Sequence, residues 1–135
     1  MGIWGTGIFE NDIALDWVEQ LLQSNNILLL REAIRGVVDT SRYLEAPECC
    51  IALAAVEIVA ALKNKEYSLL PEAVESWVRK NSFIIDTQLV EVALRTIQAI
   101  SRESELRDLW SESSFHDEWS NVINSLEQRL RSPNI

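Results

Sequence analysis

Positive charge is scarce in this sequence. Twelve lysines and arginines stand against 21 aspartates and glutamates, giving a net charge of −9 at pH 7. Phosphate contacts need a basic face, so the deficit speaks against nucleic acids and anionic membrane surfaces as partners. Histidine occurs once, at His116, with no serine or cysteine motif beside it from which a catalytic triad is legible. No H-E-x-x-H, Walker loop or EF-hand spacing occurs, and no cofactor is expected. The only cysteines, Cys49 and Cys50, are neighbours in a helical pattern. Adjacent cysteines form no unstrained disulfide, and without further ligands they make no zinc site, so they read as small buried hydrophobes. The most apolar stretch, residues 49–62, is interrupted by Glu57 and too short to span a bilayer. The N-terminus shows no positively charged segment leading into an apolar run, so a cytoplasmic location is expected.

Strand signals are equally thin. No alternating run of useful length and no hairpin dipeptide is present. Residues 82–85 are the sole candidate strand, and one strand makes no sheet. What the chain does have is helical periodicity nearly throughout. Ile13, Ala14, Trp17, Val18, Leu21 and Leu22 recur at helical spacing, as do Ile27, Leu30, Ala33, Ile34, Val37 and Val38. Pro47 suits the first turn of a third helix over 47–63, apolar almost all round and therefore central. A fourth begins at Pro71. Asp86 is placed to cap a fifth, with a short helix around Leu106 and Leu109 and a last one over 115–131. The expectation is one all-α domain over residues 1–135, a compact bundle of six to seven helices. Its 47% hydrophobic content suffices for a core.

Before the first helix lies a loop of unusual composition. Three of the four glycines fall within the first seven residues, interleaved with Trp4 and followed by Phe9. Glycine permits positive φ and close backbone approach. Residues 1–11 are therefore expected to form an ordered loop packed on the helices, shaped by Gly5 and Gly7 and pinned by Trp4 and Phe9. The spacing Gly2-x-x-Gly5-x-Gly7 is no phosphate cradle, because it follows no strand and has no basic residue nearby in sequence.

Three sets of carboxylates invite a role. Glu57 sits where burial is unavoidable and needs a partner. The loop N–H groups near Gly5 and Gly7, the Trp4 indole and Arg95 are the expected candidates. Asp12, Asp16 and Glu19 share a face of the first helix, a weak metal-site alternative to a plain solvated surface. Residues 101–120 carry Glu103, Glu105, Asp108, Glu112, Asp117 and Glu118 against only Arg102 and Arg107. This is the densest acidic segment and the expected partner-binding surface.

The opening Gly2-x-Trp4-Gly5-x-Gly7-x-Phe9-x-Asn11-Asp12-x-Ala14-x-Asp16-Trp17 resembles the signature of a bacterial domain-of-unknown-function family. The similarity continues through Tyr43-Leu44-Glu45-Ala46, the alanine-rich segment around Glu57, Leu70-Pro71 to Trp77-Val78, and residues 105–110. Ile8 stands where relatives commonly have proline. The resemblance implies fold and bacterial cytosolic origin but no reaction. Two function classes follow. One is a non-enzymatic acidic binding protein, most concretely an immunity protein neutralising a basic, nuclease-type toxin. The other is an enzyme with an unrecognised, metal-assisted carboxylate site, and a homodimeric helical adaptor is a third possibility. The oligomeric state is open between monomer and homodimer.

Overall fold

In the computed structural model, which describes residues 3–81 and 83–133, the chain is an all-α bundle. Among the described residues seven helices occur: α1 (Asp12–Leu22), α2 (Leu28–Val38), α3 (Ala46–Asn64), α4 (Glu72–Asn81), α5 (Thr87–Arg102), α6 (Glu105–Ser111) and α7 (His116–Arg131). As expected of an all-α chain, the lone candidate strand over 82–85 yields none among the described residues. Residues 83–85 are irregular, and Ser82 lies outside the described residues.

Helix α3 is the axis of the bundle. It packs against α1, α2, α5, α6 and α7, and every residue from Ala52 to Leu62 is buried. Its alanines explain this position: small side chains let five neighbours approach closely without leaving voids. Glu45 and Glu48 close a capping box at its start, with the Glu45 N–H donating to Glu48 Oε2 at 2.8 Å. Lys65 ends it in the left-handed conformation, at φ 55°.

The other helices are set by local chemistry. Asn26 Oδ1 accepts the Leu28 N–H at 2.9 Å, Asp86 Oδ1 accepts the Leu89 N–H at 2.8 Å, and Ser104 Oγ accepts the Arg107 N–H at 3.0 Å. Each side chain satisfies a donor that the first helical turn leaves open. Trp77 Nε1–H donates to the Ser24 carbonyl at 2.7 Å, tying α4 to the turn between α1 and α2.

The N-terminal loop returns on itself. Ile3 bridges Asn11 antiparallel, the Trp4 N–H donates to the Glu10 carbonyl at 3.1 Å, and the Glu10 N–H donates to the Gly7 carbonyl at 3.1 Å. Of its two expected anchors, Phe9 packs on the core and Trp4 does not. Ile8 enters the core and Ile3 and Phe9 pack against it, but Trp4 is 56% exposed. Side chains alternate in extended backbone, so an inward Ile3 turns Trp4 outward. The glycines also act differently than expected, since no described glycine has positive φ. A Cβ would lie 2.7 Å from the Glu10 carboxylate at Gly5 and 2.5 Å from it at Gly7. They make room for the Glu10 side chain, whose Oε1 accepts the Gly7 N–H at 2.8 Å.

Candidate functional site

The N-terminal loop meets α7 over a buried ion pair and two clefts. At the base, α3 supplies Glu57 and the last turns of α7 supply Arg129. The guanidinium grips the carboxylate with two bonds, Nη1 to Oε2 at 2.5 Å and Nη2 to Oε1 at 2.9 Å. The side chains are 4% and 25% exposed, respectively. A bidentate charge pair of this kind satisfies both carboxylate oxygens where water cannot. Arg129 Nε is buried and has no partner among the described residues.

This pairing corrects the expected partners of Glu57. Arg95 is exposed on α5, on the same outer face as Glu91, and makes no bond to it. The Gly7 N–H is taken by Glu10. The signal for Arg129 lay in α7 itself: it follows Leu126 by three residues and Val122 by seven, on the edge of the inward stripe. Only the packing of α7 on α3 distinguishes it from Arg95.

Above the pair opens a cleft of about 500 Å³, bordered by Ile8, Phe9, Leu69 and Val122, with Glu10 and Glu118 among its lining residues. A second cleft of about 440 Å³ shares Glu10 and Glu118 and is lined by Trp4, Trp110 and Phe115. The two carboxylates thus belong to both hollows.

The acidic segment divides into two groups. Glu105 Oε1 accepts the Ala46 N–H at 2.6 Å, so it serves the first turn of α3. Asp108 accepts the Tyr43 hydroxyl, a bond that pushes the Tyr43 pKa up to about 12 by holding its proton. These two are thus committed within the fold, unlike the other four acids of the expected partner-binding surface. Glu103, Glu112, Asp117 and Glu118 are exposed, and their side chains have no hydrogen-bond or ion-pair partner among the described residues.

The metal alternative is not supported. Asp12, Asp16 and Glu19 are exposed on α1, and no group of three potential ligands comes together among the described residues. Seven residues of helix separate Asp12 from Glu19 by about 10 Å along the axis, too far for one ion. Cys49 and Cys50 are buried and free, and burial pushes their thiols up to about 12 and about 11. His116 begins α7 half-buried, with its Nδ1 unpartnered among the described residues. No helix among the described residues is long and apolar enough to cross a membrane.

Residues 2–122 match the family described as Domain of unknown function (DUF4259). The chain belongs to this family. No curated protein and no solved structure matches it. The DUF4259 match spans the loop, Glu57 and all six acids of residues 101–120, while Arg129 lies beyond its end.

Proposed function

We propose that this DUF4259 protein is a non-enzymatic binding protein, most concretely an immunity protein that neutralises a basic, nuclease-type bacterial toxin in the cytoplasm by direct contact. The observation that carries the reading is the set of exposed carboxylates at Glu103, Glu112, Asp117 and Glu118, unpaired among the described residues, on a chain of net charge −9. Carboxylates left without internal cations contribute a negative potential that speeds encounter with a basic partner and selects against acidic ones. Asp117 and Glu118 also favour the N-terminus of α7, Glu103 stands between the end of α5 and the cap of α6, and Glu112 follows the C-terminal end of α6, where negative charge opposes the helix dipole. None of the four has a cation paired with it among the described residues, which leaves their charge to the surface.

The test is co-purification of this chain from its native host, followed by co-expression with the C-terminal domain of the toxin-like protein so captured. The expected result is a stable complex that relieves toxicity and associates roughly tenfold more slowly at high salt than at low salt. Glu103→Gln with Glu112→Gln and Asp117→Asn should slow association at low salt by about threefold or more while dissociation changes little. No complex, or a salt-independent rate, would overturn the reading.

A further inference from the structure

We propose that the cleft between the N-terminal loop and the start of α7 receives a cationic side chain, arginine or lysine, from an extended segment of a basic protein partner. This inference rests on the binding-protein reading above and specifies its contact.

The cleft of about 440 Å³ sets Trp4, Trp110 and Phe115 around one hollow with Glu10 and Glu118. Trp4 and Phe115 are each 56% exposed, whereas Trp17, Trp77 and Trp119 are at most 7% exposed. Two large aromatic surfaces are therefore left outside the core, at the same hollow. Aromatic faces attract cations through their quadrupoles, and guanidinium groups in particular stack on them.

Charge decides what enters. No lysine or arginine lines this hollow. Among the described residues Glu118 has no side-chain partner, and Glu10 accepts the Gly7 N–H alone, through Oε1. An anion would meet two carboxylates, and a purely apolar group would desolvate them without compensation. A bare metal ion is a poor fit, because no group of three ligands converges among the described residues. A cation on an apolar stem satisfies both the rings and the acids.

The neighbouring cleft identifies the source. It shares Glu10 and Glu118 and offers Ile8, Phe9, Leu69 and Val122 on the other side of the carboxylate pair. A free ammonium compound would leave this apolar ground unused. An extended segment that places a cation beside an apolar residue fills both hollows, and aromatic pockets flanked by such ground are where interface energy concentrates.

The chain has five tryptophans, so its indole Nε1–H signals in a ¹⁵N-correlated spectrum can be assigned by single Trp→Phe changes. The full chain is titrated with the peptide Ac-Gly-Arg-Gly-NH₂ and, separately, with Ac-Gly-Gln-Gly-NH₂. The arginine peptide should move the Trp4 and Trp110 signals saturably and leave Trp17, Trp77 and Trp119 unmoved as markers of an intact fold. Glu118→Gln and Phe115→Ala should each weaken the response by roughly threefold or more. Equal shifts with the glutamine peptide, or none at Trp4 and Trp110 with the arginine peptide, would overturn the inference. The same variants are then measured against the toxin domain captured by co-purification. If that domain binds both as tightly as it binds the unaltered chain, the cleft inference fails and the acidic-surface reading stands. If the peptide response appears but the domain does not bind, the toxin reading fails and the cation site stands.

Discussion

A carboxylate inside an alanine-rich helix leaves the fold few choices, and at Glu57 the choice is Arg129. Removing one member strands the other in a place where water reaches poorly. Glu57→Ala should therefore destabilise the protein by about 3 kcal/mol, the lower end of the range for broken buried pairs because Arg129 is 25% exposed. The urea midpoint at constant slope reads this directly. Replacing both members by leucine should restore stability to within about 1 kcal/mol, since neither charge is then left alone. Arg95→Ala, on the exposed face of α5, should change stability by no more than about 0.5 kcal/mol. A large Arg95 effect with a small Glu57 effect would refute the assignment. That Glu57 needs a partner was legible from its surroundings. Which of two arginines in helical segments supplied it was not, because the answer depends on how α7 crosses α3.

At the scale of elements, caps and the loop carry the information. Asn11 joins α1 to the N-terminal loop through both ends of its amide: Oδ1 accepts the Ala14 N–H at 2.7 Å, and Nδ2 donates to the Ile8 carbonyl at 3.3 Å. It is 5% exposed, so neither bond is readily replaced by water. Asn11→Ala should cost about 1–2 kcal/mol. It should also raise hydrogen exchange at the Trp4 and Glu10 amides, which close the loop. Asn11→Asp keeps the cap and loses the donor to Ile8, and should fall between alanine and the parent. If Asn11→Ala leaves both stability and loop exchange unchanged, the junction is not where the loop is held. The start of α5 was readable because Asp86 is a good cap wherever it stands. The orientation of Trp4 was not, because it follows from a bridge between Ile3 and Asn11 that periodicity does not register.

For the molecule as a whole, the imbalance of 21 acids over 12 bases sets a repulsive background. Added salt screens it over a distance of about 8 Å at physiological ionic strength. The melting temperature should rise by about 2–4 °C between roughly 0.02 and 0.3 M NaCl, corresponding to about 1 kcal/mol of relieved repulsion. Calorimetry at fixed pH in a buffer of low ionic strength is the measurement. A fall with salt would mean that attractive pairs such as Arg42–Glu48 and Arg31–Asp86 outweigh the excess charge.

Some of this was decided by the chain alone. Apolar periodicity of 3.6 residues, capping side chains and an alanine-rich central segment dictate a helical bundle with α3 inside, because each acts over a few residues of backbone. The acidic exterior follows from composition in the same way. Only the tertiary structure separated Glu105 and Asp108, held by Ala46 and Tyr43, from the four acids left free. It alone brought Trp4, Trp110 and Phe115 around the Glu10–Glu118 pair. That hollow is lined by positions as much as 114 residues apart, from Trp4 to Glu118, and no local pattern encodes which faces will meet across such a distance.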